Sequence, residues 1–290
     1  MHQWLKNLIL FLPILLSHKL SNWNIDLRVI LAFLAFCAGA SATYLINDLR
    51  DIDSDRNHPS KSLRPIAKGL ISSRVASIAA ILLILVSVSI SLTINQSFLL
   101  WLVIYLILTI CYSIFLKKFI ILDLILITIF YLIRIFAGSQ ASNVHSSYWM
   151  FGFSTFFFLS LAFGKRYAEL IQLEENSQNA SDRRGYRFAD RPVLMTLGVA
   201  SGYAAVVIFA LYLDSTNLLN LYHAPQILWG LIPVLTYWIS WIWIQATRGL
   251  MYEDPLLFAF DKKESRITIV IAVIILVLAS TIHWHYQITN

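Results

Sequence analysis

Asn47, Asp48, Asp51, Asp53 and Asp55 follow one another at the end of a long apolar run that closes on the tripeptide YLI. If that run continues as a helix, a turn of 100° per residue puts Asn47, Asp48, Asp51 and Asp55 within an arc of about 100° and sends Asp53 elsewhere. Three carboxylates and an amide on one face repel one another unless cations neutralise them. A hard divalent ion such as Mg²⁺ takes one or two carboxylates together with phosphate oxygens. Asn47, Asp48, Asp51 and Asp55 therefore read as metal ligands, and Asp48, Asp51 and Asp55 as the groups on which catalysis depends. Lys61, Arg64 and Lys68 come next and suit a clamp on phosphate oxygens. The chemistry that fits is departure of a diphosphate whose growing charge is held by metal and cations. A solvated helix end is the alternative, but only Asp53 breaks the stripe and cations follow at once.

Such a comb needs a scaffold, and the composition says which kind. Of 290 residues 58% are hydrophobic and 13% charged, about half the charge of an ordinary soluble domain. The expectation is an all-α integral membrane protein in one domain, 1–290. Stretches near 29–46, 75–94, 98–116, 119–137, 148–164, 192–213, 227–246 and 267–286 approach the ~20 helical residues needed to cross a bilayer. Trp4 to Ser17 is shorter and reads as a brief span or an interfacial helix, giving eight or nine spans. It carries Pro13 and lacks a small-residue cleavage site, so it is read as part of the fold and not as a removable leader. Cys37 and Cys111 fall inside apolar spans and read as packing residues.

Eighteen of the 22 Lys and Arg fall in alternate connections, chiefly Asn47 to Arg74 and Lys165 to Arg191. The positive-inside rule makes those segments cytoplasmic, placing the comb at the cytoplasmic face of the inner membrane, where long polar loops could carry chemistry. The net charge of +6 then needs no nucleic acid; topology, lipid headgroups and a polyanionic substrate account for it.

Asp123 and Arg134 are the ionisable acid and base inside the assigned spans, which makes both functional candidates. Eleven residues separate them, roughly 16 Å along a helix, too far for a direct pair. Asp123 reads as orienting a clamp residue near the cytoplasmic end. Arg134 lies deep, where substrate contact and structural hydrogen bonding are both open. Lys6, beside Asn7, suits an anionic headgroup or phosphate. Glu253 and Asp254 precede Pro255 and suit a helix cap or a polar rim. Tryptophans at span ends, among them Trp23, Trp101 and Trp149, read as interface anchors. No histidine stands out as a general base.

Asn47, Asp48, Asp51 and Asp55 meet the pattern N-D-x-x-D-x-x-x-D, and with it the chain resembles the UbiA superfamily of intramembrane prenyltransferases. QWLKN at 3–7, YLINDLRDIDSDRNHPSKSLRPIAKG at 44–69, LIRIFAG at 132–138, GKRYAEL at 164–170 and YEDPLLFAFD at 252–261 resemble its decaprenyl-phosphate phosphoribosyltransferase branch. The resemblance implies a nine-helix bundle with a cavity open to the cytoplasm, Mg²⁺ as cofactor, and transfer of 5-phosphoribose from phosphoribosyl diphosphate to a polyprenyl phosphate. The superfamily's second aspartate motif is missing; Lys165, Arg166 and Glu169 stand there, and the added cations suit a substrate with a further phosphate. Prenyl transfer to an aromatic or other small acceptor is the alternative reaction, and a divalent-cation channel or transporter the alternative class.

Overall fold

The computed structural model describes residues 2–17, 23–56, 61–144, 147–175, 185–215, 218, 221–251 and 255–282. All regular structure among them is helical. The chain resolves into two compact units, Met1–Ser146 and Ser147–Asn290.

The first unit opens with a 3₁₀ helix, His2–Phe11, that runs into α1 (Leu12–Leu16). Pro13 sits in the first turn of α1, where its missing N–H would have had no helical partner. Then follow α2 (Trp23–Arg50), α3 (Ile52–Arg56), α4 (Ser73–Leu92), α5 (Gln96–Ile114) and α6 (Leu122–Ser142). Side chains start two of them: Ser72 Oγ accepts from the Val75 amide and Asn95 Oδ1 from that of Phe98, each satisfying a donor the helix itself leaves orphaned. Val29, Ala32, Ala35 and Phe36 share one face of α2 and are buried against Phe98, Leu102 and Tyr105 of α5 and Ile133, Ala137 and Ala141 of α6. Alanines there let the backbones approach closely, the usual basis of helix packing where lipid removes the hydrophobic drive. In α6, 67% of the span is buried, against 22% in α4, so α6 is the helix whose polar residues face protein. α4 instead presents Val75, Ile78, Leu82 and Leu85 outward, as a lipid-facing helix should.

Gly138 on α6 allows the closest contact: a Cβ there would lie 2.1 Å from the Leu10 carbonyl oxygen. The amino-terminal segment lies directly on the α6 backbone at that point.

The second unit contains α7 (Tyr148–Glu175), α8 (Arg191–Leu213), α9 (Leu231–Thr247), α10 (Pro255–Asp261) and α11 (Lys263–Thr281). Polar side chains tie these helices together. Ser160 Oγ donates to the Gly198 carbonyl at 2.7 Å while accepting from Trp243 Nε1 at 3.0 Å. Trp238 Nε1 donates to Ser265 Oγ at 2.6 Å.

Seven described helical stretches are long and apolar enough to cross a membrane: Ile25–Arg50, Ser73–Leu92, Gln96–Ile114, Leu122–Ser142, Phe188–Leu213, Pro225–Thr247 and Lys263–Thr281. The expected span at 148–164 lies in α7, which has 28 residues, about 42 Å of helix. Its Gly152, Ser154, Thr155, Ser160 and Gly164 dilute its hydropathy, and it is not among the seven. Trp4–Leu16 is a shorter apolar helix. Trp23 is 76% exposed, whereas Trp101 stacks on Phe136 at 4.7 Å. The two cysteines are free thiols.

Candidate active site

α2 carries the comb out of its apolar span. It ends at Arg50, and Asp51 forms a turn before α3, yet the i to i−4 bonding continues: the Asp51 amide donates to the Asn47 carbonyl at 2.9 Å and that of Asp55 to Asp51 at 2.7 Å. The helical register is thus kept through the acidic stretch. Asp53 leaves the stripe, with its side chain 92% exposed and Arg56 3.6 Å away.

Two cations close over the comb. Arg64 Nη1 donates to Asp48 Oδ1 and to Asp55 Oδ2, both at 2.7 Å. Lys117 Nζ donates to Asp51 Oδ2 at 2.8 Å, Asp51 Oδ1 at 3.0 Å and Asn47 Oδ1 at 3.3 Å. Arg64 is presented by the turn that follows the 3₁₀ helix Lys61–Leu63. Ile66 and Ala67 are buried, and Arg56 Nε donates to the Ala67 carbonyl at 3.3 Å; these contacts hold the turn against α3. The side chain of Lys61 lies outside the described residues, and Lys68 is exposed.

Lys117 is the residue that sequence reasoning missed. It sits on a 3₁₀ turn, Leu116–Lys118, between α5 and α6. A signal was present: Lys117 and Lys118 are the cations of a short connection that charge asymmetry assigns to the comb's side of the membrane. Beyond the turn, Ile121 has φ 66° and ψ −44°, and the Leu122 amide donates to the Ile120 carbonyl at 2.7 Å. This is a γ-turn with positive φ, a strained form, centred on a β-branched residue that rarely adopts it. Asp123 follows in the first turn of α6 and is fully buried.

The donor set is chemically right for Mg²⁺: carboxylate and amide oxygens, with neither thiolate nor imidazole among them. It is not a preformed cage. Among the described residues no group of three or more His, Cys, Asp or Glu side chains is gathered as a metal site. The reason is visible in the cations: Arg64 stands between Asp48 and Asp55, and Lys117 holds Asp51 and Asn47.

Arg134 is buried at 5% exposure in α6. Its Nε donates to Asn7 Oδ1 at 2.8 Å, Nη1 to the Phe130 carbonyl at 2.6 Å and Nη2 to Tyr105 Oη at 2.9 Å, and the guanidinium lies 4.8 Å from the Tyr105 ring centre. Asn7 is fully buried and also donates to Cys37 Sγ at 3.3 Å. It lies inside the protein. Lys6 beside it is half-buried. Of the two roles left open for Arg134, its contacts are those of structural hydrogen bonding.

In the second unit Arg166 is buried on α7, bonded to the Glu169 carboxylate one turn later and 5.9 Å from the Tyr186 ring centre. Glu169 is thus met by Arg166, three residues away, while Lys165 is half-buried. Arg191 at the start of α8 grips Glu174 with two nitrogens, at 2.5 and 3.0 Å. Glu253 and Asp254 lie outside the described residues.

An acidic stripe leaving a membrane helix, capped by cations from two neighbouring connections, defines a specific polar end on an apolar bundle. The sequence profile of the UbiA prenyltransferase family matches residues 9–260. The chain belongs to that family. It is an integral membrane protein of a transferase family. The chain is 32% identical to a decaprenyl-phosphate phosphoribosyltransferase of Mycolicibacterium smegmatis over 82% of this chain and 76% of that one. It is also 32% identical to the nodulation protein NoeC of Azorhizobium caulinodans, over 92% and 87%. With the protein y4nM of Sinorhizobium fredii it shares 35% identity over 91% of its own length, but spans only 51% of that relative. In fold it is similar to a UbiA homolog from Archaeoglobus fulgidus solved with GPP and Mg²⁺, with a TM-score of 0.70, 16% identity, and 95% and 96% of the two chains covered. The apo structure of a UbiA homolog from Aeropyrum pernix gives a TM-score of 0.68 at 18% identity, over 95% and 97%.

Proposed function

We propose that this UbiA-family chain transfers 5-phosphoribose from phosphoribosyl diphosphate to a polyprenyl phosphate, with Mg²⁺, at the cytoplasmic face of the inner membrane. In this reading it forms the nine-helix arrangement with a cavity open to the cytoplasm. The observation that carries the proposal is the comb with its two cations: oxygen donors from Asn47, Asp48, Asp51 and Asp55 on one helical stripe, with Arg64 and Lys117 in direct contact. The direction of the transfer is supported by the phosphoribosyltransferase relative at 32% identity.

The polyprenyl phosphate is an anion before it reacts, so no base has to deprotonate it. One of its oxygens attacks C1 of the ribose as the bond from C1 to the diphosphate oxygen breaks, and the diphosphate leaves with the bonding pair. Bound through Asn47, Asp48, Asp51 and Asp55, Mg²⁺ would supply the charge that makes diphosphate a good leaving group. Arg64 and Lys117 bind oxygens of the same group, fixing the donor at one end. Lys165 and Arg166 are assigned to the 5-phosphate, with Glu169 orienting Arg166. Lys6 and Lys61 are assigned to phosphate or headgroup oxygens, and Asp123 to holding the clamp in place. Arg134 keeps a supporting role through Asn7 and Tyr105.

The test is incubation of the purified protein with labelled phosphoribosyl diphosphate and a polyprenyl phosphate, with labelled lipid as the expected product. Failure to label lipid, with turnover of a prenyl diphosphate instead, would transfer the assignment to prenyl transfer onto a small acceptor. That second reading is favoured by the prenyl diphosphates, GPP and DMAPP, carried by solved proteins of this fold.

A further inference from the structure

Lys117 Nζ is one cationic centre with three oxygen neighbours, at 2.8, 3.0 and 3.3 Å. Those oxygens belong to Asn47 and Asp51, the residues assigned to the metal. An ammonium has three N–H donors, and on this count all three are directed at the comb. The side chains are 16% and 27% exposed for Lys117 and Asp51, so the pair is drawn out of water without being sealed from it. A divalent ion bound to Asp51 and Asn47 would occupy the volume that Nζ now fills, and the two cannot share it.

We propose, on the reading given above, that Lys117 is an exchangeable counter-ion: it holds the metal's place in the resting protein, and metal binding releases it onto the diphosphate. A lysine suits this task better than an arginine, because its charge is a compact point on a flexible four-carbon stem. Arg64 is the contrasting case, locked between Asp48 and the buried Asp55.

The consequence is a coupling between metal and diphosphate. Metal alone must expel Lys117 and leave it without an anionic partner. Diphosphate alone meets a lysine already engaged and a face whose carboxylates outnumber the two capping cations. Together each supplies what the other displaces: the metal satisfies Asp51 and Asn47, and the phosphate oxygens take Lys117. Such coupling is reciprocal and typically amounts to roughly 5- to 150-fold in affinity. It keeps the comb closed to stray divalent ions until the substrate arrives.

The experiment uses the full chain in detergent or nanodiscs, with Mn²⁺ as the spectroscopic probe and inorganic diphosphate as the anion. In the unaltered protein, saturating diphosphate should tighten Mn²⁺ binding by about tenfold or more. Lys117→Met should move the two affinities in opposite directions: Mn²⁺ alone binds about tenfold tighter, diphosphate in the presence of Mn²⁺ binds weaker, and the coupling shrinks. Lys117→Gln, which keeps a polar side chain, should behave the same way and guards against a folding defect in the first variant. Lys118→Met, altering the exposed neighbour, should change neither affinity.

A merely structural lysine would lower both affinities together or leave both untouched, and either result overturns the proposal. If the unaltered protein binds Mn²⁺ and diphosphate tightly but independently, the exchange is wrong while the assigned reaction stands. Binding of neither probe would overturn both.

Discussion

Arg64 reaches Asp55 at 2.7 Å, and the aspartate side chain it neutralises is only 3% exposed. The same nitrogen holds Asp48, so one guanidinium joins the last turn of α2 to α3. Removing it leaves a buried carboxylate without its cation, a loss of about 1–3 kcal/mol or somewhat more for a charged group. Arg64→Ala should lower the thermal unfolding midpoint in detergent, and adding Asp55→Asn should recover part of the loss. Additive effects in that double-mutant cycle would mean that the two side chains do not support one another.

The stripe and the residue outside it should separate cleanly in activity. Asp48→Ala and Asp51→Ala remove assigned metal ligands and should reduce turnover by on the order of 10²-fold or more, with the protein still folded by size-exclusion chromatography. Asp53 is exposed and pairs with Arg56 at 3.6 Å, the kind of surface pair worth less than about 1 kcal/mol. Asp53→Ala should stay close to the unaltered rate in the labelled-lipid assay. Equal loss at all three positions would contradict the helical-face argument.

Asn7 and Arg134 form a buried pair between residues 127 positions apart. Asn7→Ala strips Arg134 Nε of its acceptor, at an expected cost of about 1–3 kcal/mol. Asn7→Leu combined with Arg134→Met should be milder than either single change, because neither partner is then left polar and unsatisfied. Thermal stability of the three variants decides it; a double variant worse than both singles would mean that the two side chains stabilise the fold independently.

Gly138→Ala should disturb the amino-terminal segment, since the added methyl would sit 2.1 Å from the Leu10 carbonyl oxygen. Overpacking of this kind costs about 1–3 kcal/mol, and limited proteolysis should then cut sooner within the first residues. Gly164→Ala is the control: its nearest neighbours would be ordinary contacts at 3.8 and 3.9 Å to Met251 and Trp243, so it should be tolerated.

The helical class, the membrane setting and the acidic stripe could be read from the chain because each rests on a local regularity. Apolar length gives the spans, and a period of 100° per residue separates Asp53 from its four companions. Arg64 was within reach for the same reason, lying nine residues beyond Asp55 in the same connection. Lys117 was not, because its distance from Asp51 depends on how α5 and α6 pack against α2, which no short window encodes. Nor could composition reveal that Asn7 would be drawn inward: a polar residue near a chain start looks like a surface residue until its partner 127 positions on is known. The γ-turn at Ile121 is the hardest case, since isoleucine is among the last residues one would place at positive φ. The span count differs at α7, where scattered Gly and Ser positions lower the hydropathy of a helix long enough to cross.

Arg134 also bears on how the protein is made. A guanidinium at the centre of an isolated helix costs about 2.5–3.5 kcal/mol on insertion from the translocon, a burden the apolar residues of α6 must carry as the helix leaves the ribosome. Tyr105 and Asn7, its side-chain hydrogen-bonding partners, are both synthesised earlier. The groups that receive the guanidinium therefore both lie upstream of the charge that needs them, so its hydrogen-bonding partners are already made when α6 emerges.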